Sequence, residues 1–252
     1  MIEEEFFNVK RKACFRLLGV VALALSLGIL PKTTFGQATP NASRMKIGII
    51  GSGNIGGTVG TLWVKAGHQV LFSSRHPEEL KQLVEGLGPL ARAGTVREAL
   101  NFGDVIFIGV PYGAYPQIGK DYAGEFAGKI VLDAGNAVQA RDGDITKETR
   151  ENGIGITSAK YLSGARIVRA FNTMNFRRLE SNSNRSGARM AIPIAGDDKE
   201  ALAVAQTLVR DAGFDPVIIG GLDSAKYFAQ GGPLYGQDIT APEMQERLKT
   251  LK

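Results

Sequence analysis

The chain has 252 residues, of which 44% are hydrophobic and 22% are charged, as in ordinary globular proteins. Its formal net charge of +5 is modest and no basic stripe is interleaved with aromatic residues, which argues against nucleic-acid binding. His68 and His76 form no metal-ligand pattern, and the single cysteine, Cys14, excludes a disulfide within the chain. We therefore expect no metal site and no nucleic-acid partner.

The N-terminal residues differ in character from the rest of the chain. Basic residues at 10–12 precede an uncharged stretch from Leu17 to Leu30, and Gly36 and Ala38 are small enough for a cleavage site. This pattern predicts a signal peptide at 1–38, a linker at 39–44 and an exported protein without a transmembrane span after cleavage. A short membrane anchor is the alternative, and Glu3-Glu4-Glu5 could mean that translation starts further along; without a genuine signal the protein would be cytoplasmic.

A strand, a glycine turn and the start of a helix are predicted for residues 46–57. The run Lys46–Ile50 is mostly apolar and β-branched, and Gly51, Gly53 and Gly56 then give the spacing G-x-G-x-x-G. In dinucleotide sites these glycines allow the tight turn, the approach of the pyrophosphate and the close packing of the helix on the strand. The candidate pyrophosphate-binding residues are Gly51, Ser52, Gly53, Asn54, Ile55 and Gly56.

The second predicted strand, 68–72, ends at Ser73-Ser74-Arg75. An NAD site usually carries a carboxylate at this distance from the glycines, where it binds the ribose 2′-hydroxyl. Here two hydroxyl groups and a guanidinium occupy the position, and they suit a 2′-phosphate. The sequence therefore predicts NADP as the cofactor, with Ser73, Ser74 and Arg75 as its ligands. A serine-rich loop with a solvated arginine is the alternative.

Strands and helices alternate along the remaining chain. Helices are predicted at 77–84, after Thr95, from Asp198 to Gly213 and after Thr240. Buried strands are predicted at 104–110, 129–133, 165–171, 190–195 and 215–219, and Pro193 indicates an edge or a bulge. The polar residues 141–152 are expected to form a surface excursion.

This alternation predicts an α/β, Rossmann-type, doubly wound and mostly parallel sheet. We expect the NADP-binding core at 45–140, and a small C-terminal α/β portion at 141–252 that continues the sheet and shapes the substrate side. In such sheets ligands bind at the carboxyl ends of the strands. The loops that follow the strands at 104–110 and 129–133 should therefore reach the cofactor, through Val110, Pro111, Tyr112, Asn136 and Ala137.

These motifs resemble the NADP-dependent reductases of the 8-hydroxy-5-deazaflavin coenzyme. The matching segments are 51–56, 74–75, 110–111, 170–173 and 195–198. The chain is also similar to the cytosolic NADPH domain of the six-transmembrane metalloreductases. The resemblance implies a homodimer in which NADPH passes hydride to a flavin-type ring, with Pro111 and Asn172 flanking the two rings. One departure is that Glu78 and Glu79 stand where those deazaflavin reductases carry a basic residue.

Hydride transfer between two flat rings needs no protein acid or base, and we expect no catalytic residue of that kind. No tyrosine is followed by lysine four positions later, so the Tyr-x-x-x-Lys pair of short-chain carbonyl reductases is absent. Pyrroline-carboxylate reductases continue into an all-helical domain, whereas strands are predicted here at 190–195 and 215–219. The leading hypothesis is an NADPH-dependent oxidoreductase with a deazaflavin or flavin-like acceptor. The alternative is a non-catalytic NADP(H)-binding or sensing module.

Overall fold

The computed structural model describes residues 44–251, whose strands all lie in one sheet. The predicted signal peptide, and the predicted linker apart from Arg44, lie outside the described residues. Within the part that is described, no helix is both long enough and apolar enough to cross a membrane.

The described strands are β1 (Lys46–Ile50), β2 (Gln69–Ser73), β3 (Ala91–Gly94), β4 (Val105–Ile108), β5 (Ile130–Asp133), β6 (Arg166–Arg169), β7 (Ala191–Gly196) and β8 (Asp215–Gly220). The α-helices are α1 (Asn54–Lys65), α2 (Lys81–Leu87), α3 (Val96–Phe102), α4 (Tyr115–Asp121), α5 (Ala123–Phe126), α6 (Gln139–Asp142), α7 (Ile145–Asn152), α8 (Ile154–Tyr161), α9 (Phe176–Asn182), α10 (Lys199–Asp211) and α11 (Ala241–Lys249). Short 3₁₀ helices span Pro77–Leu80, Tyr112–Ala114 and Leu222–Tyr227.

The sheet has the order β3-β2-β1-β4-β5-β6-β7-β8, and each neighbouring pair is parallel except β6 with β7. The order reverses at β1, where the chain moves from β3 across to β4, as in doubly wound dinucleotide-binding folds. The predicted fold class is confirmed. Because β1, β2, β4, β5 and β6 are parallel, the loops after them meet at one edge of the sheet.

Hydrophobic clusters cover the two faces of the sheet. Side chains alternate along β1, so Ile49 belongs to one cluster and Ile50 to the other. The first cluster is centred on edge-to-face aromatic contacts that Trp63 and Phe171 make with Phe107 and with each other. The second contains the stacked rings of Tyr112 and Tyr115, which are 4.4 Å apart. Both faces are therefore closed, and the carboxyl edge of the strands is left for a ligand.

The segment 141–152 differs from the prediction, because α6 and α7 occupy most of it. Apart from two buried threonines the segment is exposed or half-buried, as a surface excursion would be, but its helices were not predicted, for a physical reason. The buried positions of α7 are Thr146 and Thr149, so the helical spacing is present but the side chains on it are polar. A search for apolar periodicity misses such a helix. The short edge strand β3 was also missed, since its four residues include the exposed Arg92 and Ala93.

Pro193 lies inside β7, which is covered by β8, so the edge alternative was wrong. The pairing of β7 with β8 is irregular between Ile194 and Ala195, in agreement with the bulge alternative. The carbonyl of Met190 accepts from the N–H of Asp215 in β8, and alternation then turns the nitrogen of Pro193 away from β8. On that other side β6 pairs only with Ala195 and Gly196. The missing N–H of the proline therefore breaks no ladder hydrogen bond.

Candidate functional site

The three motif glycines have three different surroundings. Gly51 has a φ of +92°, and a Cβ there would overlap the side chain of Val110. A Cβ on Gly56 would overlap the carbonyl oxygen of Gly51 in the turn below. A Cβ on Gly53, by contrast, meets no atom within 4 Å. The tight turn therefore explains Gly51, and the close packing of helix on strand explains Gly56. Gly53 leaves the backbone accessible where a pyrophosphate would approach.

The loop opens directly into α1, whose first turn is not capped by a side chain. Gly53 is the N-cap residue, and the first turn of the helix carries no acidic residue. The free N–H groups and the positive end of the helix dipole thus face outward with no internal anion. Asn54 and Ile55 occupy the first helical positions, beside a groove of about 420 Å³ that Ser52, Gly53 and Asn54 help to line. This arrangement suits a diphosphate.

The segment 73–75 follows β2 next to the glycine turn. The carbonyl of Ser73 accepts a hydrogen bond from the N–H of Ser52 at 3.1 Å, which joins the two loops. The hydroxyl of Ser73 is buried and donates to the carbonyl of Ile49 at 2.6 Å. Ser73 therefore supports the loop from inside, and its hydroxyl does not face the solvent.

Ser74, which is half-buried, and Arg75, which is exposed, are the accessible part of this segment. The Ser74 hydroxyl accepts from the N–H of His76 at 3.1 Å, which leaves its own proton free to donate. Arg75 is exposed, and among the described residues its guanidinium makes no hydrogen bond or ion pair. Glu78 lies close by and pairs with the ring of His76 at 3.4 Å. The donors suit a 2′-phosphate, while the neighbouring carboxylate weakens their attraction for one.

The loop after β4 contributes less than its sequence suggests. Val110 contacts the glycine turn at Gly51, and Pro111 is exposed at the edge of the sheet. Tyr112, however, is fully buried below the edge, because the 3₁₀ helix that starts there turns its ring inward. Its hydroxyl donates to the carbonyl of Ile154 at 3.0 Å and bonds Ser158 at 2.8 Å.

Asn136 and Asn172 are brought together, although 36 positions separate them. The side-chain amide of Asn136 donates to the carbonyl of Asn172 at 2.7 Å, and its oxygen accepts from the Asn172 amide at 3.3 Å. The Asn172 amide also donates to the carbonyl of Phe228 at 3.2 Å. Phe171, just before it, has a φ of +61°, an uncommon conformation for a bulky residue. These contacts connect the loops after β5 and β6 to a C-terminal loop.

Polar atoms that are buried and lack a hydrogen-bond partner collect at this edge of the sheet. In residues 44–251 they belong to Ser52, Asp133, Arg169, Asn172 and Thr173. These residues end, or shortly follow, β1, β5 and β6. Because an unsatisfied buried polar atom costs free energy, such atoms are usually paired with water or a ligand. Their concentration here indicates a polar ligand at the carboxyl edge.

A cleft of about 860 Å³ begins at the same place. Its lining includes Asn136 and Ala137, residues from α7 and residues from the C-terminal segment 226–233. Two of the predicted cofactor residues, Asn136 and Ala137, therefore also line this second space. The volume is within the range of small-molecule sites.

Sequence reasoning missed the buried pair of Asp133 and Arg169 below this edge. Their side chains are fully buried, and Nη1 of Arg169 lies 2.6 Å from Oδ1 of Asp133. The hydroxyl of Tyr115 donates to the same oxygen at 2.7 Å. Burial, and then the charge of Asp133, raise the pKa of Tyr112 and Tyr115 far above the usual value, so both phenols stay protonated. The sequence did carry one signal of the pair, namely a charged residue at the last position of a buried strand.

Comparison with protein families gives a match over the first part of the fold. Residues 46–137 match the family described as "NADP oxidoreductase coenzyme F420-dependent". This segment contains the glycine turn, Ser73–Arg75, Val110–Tyr112 and Asn136-Ala137. For the matched segment, the predicted resemblance, the oxidoreductase class and NADP as cofactor are confirmed. The glycine geometry and the unpartnered polar atoms described above fit that cofactor.

Individual proteins extend the similarity beyond residue 137. The chain is 31% identical over 186 residues to the metalloreductase STEAP3 of Rattus norvegicus, which covers 72% of this chain. This chain spans only 35% of the length of STEAP3. Protein SMa0349 of Sinorhizobium meliloti is 25% identical, with a TM-score of 0.69 over 78% of this chain and 95% of its own. A proposed F420-dependent NADP-reductase from Arthrobacter sp. FB24 shares the fold, with 21% identity, a TM-score of 0.63 and coverage of 78% and 99%.

Proposed function

We propose that this protein oxidises NADPH and passes the hydride to a deazaflavin or flavin-like acceptor in the cleft beside Asn136 and Ala137. The observation that supports this most directly is that predicted cofactor residues also line a second space, the cleft of about 860 Å³. Asn136 and Ala137, which are predicted to contact the cofactor, are among the residues that line this cleft. An acceptor in the cleft would therefore lie next to the reactive ring.

The residues of the chain would divide the binding of NADPH among them. The glycine turn and the start of α1 hold the diphosphate, Ser74 and Arg75 bind the 2′-phosphate, and the loops with Asn136 and Asn172 orient the nicotinamide. The cofactor itself supplies the hydride. The contribution of the protein is alignment of two rings and exclusion of water from the space between them.

No protein acid is needed at the site, and the two nearest candidates are unsuited to that role. The hydroxyls of Tyr112 and Tyr115 are buried and engaged with Ile154, Ser158 and Asp133. Their raised pKa values make them poor proton donors near neutral pH. An acceptor ring that takes its proton from water fits this arrangement better than a carbonyl substrate does.

A panel of acceptors tests the proposal. The full chain is mixed with NADPH and, separately, with a 5-deazaflavin, FMN, FAD or a ferric chelate, and loss of nicotinamide absorbance is followed. We expect oxidation with at least one flavin-type acceptor and none without the protein. If NADPH binds and no acceptor oxidises it, the proposal fails and the non-catalytic binding or sensing module takes its place.

A homodimer and an exported location are part of the proposal. The first rests on the resemblance to the deazaflavin reductases, and the second on the composition of residues 1–38. Sedimentation of the purified chain tests the dimer. Fractionation of cells, with mass spectrometry of the N-terminus, tests export and cleavage after Ala38.

A further inference from the structure

A buried ion pair lies below the proposed nicotinamide site, and the binding roles assigned so far do not use it. Asp133 is the last residue of β5 and Arg169 the last residue of β6, and the two are direct partners in the parallel register. Both side chains are 0% exposed, and the pair is closed at 2.6 Å. The two charges are therefore held at the carboxyl edge of adjacent central strands.

Stability alone is a weak reason for such a pair. Removing two charges from water costs several kcal/mol for each ion, and the attraction repays this only if the remaining polar atoms are satisfied. Here Oδ2 of Asp133 and Nε of Arg169 are buried without a hydrogen-bond partner. Apolar side chains of similar volume often serve a core equally well or better. The pair must then be explained by what it contacts.

What the pair contacts is the peptide backbone at Gly135. The N–H of Gly135 donates to Oδ1 of Asp133 at 2.8 Å, and its carbonyl accepts from Nη2 of Arg169. A Cβ on Gly135 would overlap the hydroxyl of Tyr115, so the loop is pressed against that ring. The position of Gly135 is thus fixed by the hydrogen bond from its N–H, by the hydrogen bond to its carbonyl, and by the Tyr115 hydroxyl on the side where a Cβ would lie.

The next residue, Asn136, connects the cofactor edge to the acceptor cleft. Its side-chain amide bonds the carbonyl of Asn172, and its oxygen accepts from the N–H of Gln230 at 3.3 Å. Gln230 belongs to the C-terminal segment that lines the cleft. The orientation of Asn136 therefore depends on the position of Gly135. It determines in turn the contacts with the loop of Asn172 and the loop of Gln230.

We propose that Arg169 and Asp133 are positioning residues, which fix the Gly135 peptide and through it orient Asn136 between the nicotinamide and the acceptor. This inference rests on the proposed function. The pair ends β5 and β6, and β4 separates these strands from β1 and β2, where the proposed diphosphate and 2′-phosphate sites lie. Its loss should therefore change the alignment of the rings far more than the affinity for NADPH.

The test uses three variants and a matched control. Arg169→Met removes one charge and leaves Asp133 uncompensated, so it can fail to fold. The double variant Arg169→Met with Asp133→Asn removes both charges, changes the volume little and keeps an oxygen that can accept from the Tyr115 hydroxyl, and we expect it to fold. Arg166→Met is the control, because Arg166 lies on the same strand but pairs with Asp198 and Glu200 at the other end. Arg169→Lys keeps the positive charge that Arg169→Met removes, and it tests whether the charge alone is enough for positioning.

Two measurements are made on each folded variant. The first is the affinity for NADPH, together with the fluorescence anisotropy decay of the bound nicotinamide, which reports motion of the ring. The second is the rate of a single turnover with FMN at saturating NADPH. For the double variant we expect affinity within about threefold of the wild type, faster ring motion and transfer slowed about tenfold or more, since a misplacement of ~1 Å can cost about 100-fold. The control should match the wild type in every measurement.

The outcomes separate this inference from the proposed function. If the double variant folds and shows wild-type ring motion and transfer rate, the positioning role is overturned. If NADPH affinity falls as much as the transfer rate does, the pair is merely structural and the proposal is also overturned. If the wild type binds NADPH but reduces no acceptor, the proposed function fails, and the anisotropy decay alone decides whether the pair positions the ring.

Discussion

The substitution Gly53→Ala separates binding from folding at the glycine turn. Gly53 has φ of −75° and ψ of −155°, which an L-residue can adopt, and an added Cβ meets no atom within 4 Å. Replacing Gly by Ala stabilises by about 0.4–1 kcal/mol through the unfolded chain, and the poorer N-cap costs a similar amount. We therefore expect the free energy of unfolding to change by less than about 1 kcal/mol, a Tm shift of up to about 4 °C.

The same methyl group would occupy the side from which a diphosphate approaches the backbone. Loss of one charge-assisted hydrogen bond costs about 1.5–3 kcal/mol, and each 1.4 kcal/mol corresponds to a tenfold change in Kd. We expect NADPH binding to weaken by about 10- to 100-fold. Titration by nicotinamide fluorescence and thermal unfolding of the same sample measure the two effects.

Two other glycines provide the comparison. Gly124, in α5, also has no atom within 4 Å of an added Cβ, so Gly124→Ala should leave NADPH affinity unchanged. Gly56→Ala would overlap the carbonyl of Gly51 and should cost about 1–3 kcal/mol in stability as well as binding. If Gly53→Ala binds NADPH as tightly as the wild type, or loses stability like Gly56→Ala, the assignment of the glycine turn is wrong.

Three further predictions concern charges. Arg75→Ala should weaken NADPH binding about tenfold or more and NADH binding little, because only NADPH carries the 2′-phosphate; equal losses in paired titrations would contradict this. Glu78→Gln should strengthen NADPH binding a few-fold at low salt and less at high salt, since it removes a negative charge near the same phosphate; an unchanged Kd at low salt would argue against it. Hydrogen bonds from Arg166 lower the pKa of Asp198 from 3.8 to about 2, so its charged form contributes stability that is present above pH 3.8 and is lost as the pH falls through 2. Asp198→Asn keeps the helix cap. Its Tm should lie below that of the wild type above pH 3.8, and this difference should shrink as the pH falls towards 2. A difference that stays constant would show that the ion pair contributes nothing to stability.

Much of the fold could be predicted because its signals are local. The capping boxes at Thr95 and Thr240 and the N-cap at Asp198 mark helices α3, α11 and α10, and all are observed. The glycine spacing likewise predicted the turn between β1 and α1. Each of these signals involves side chains and backbone groups only a few residues apart, and tertiary contacts do not override them.

The features that were missed depend on contacts between distant residues. The pair of Asp133 and Arg169 forms only when β5 and β6 are adjacent, so the charge that ends either strand does not reveal its partner. The burial of Tyr112 depends on α8, which supplies both of its hydrogen-bond partners. The contact between Asn136 and Asn172 requires the loops after two strands to meet. The edge of the sheet could thus be predicted, but not the network below it.

The measurement that tests the central claim most directly is calorimetric titration of the full chain with NADP⁺ and, in parallel, with NAD⁺. The account predicts one site per chain and binding of NADP⁺ at least about tenfold tighter than that of NAD⁺, with the difference removed by Arg75→Ala. Equal affinity for the two nucleotides would contradict the role of Ser74 and Arg75, and absence of binding by both would contradict the cofactor site itself.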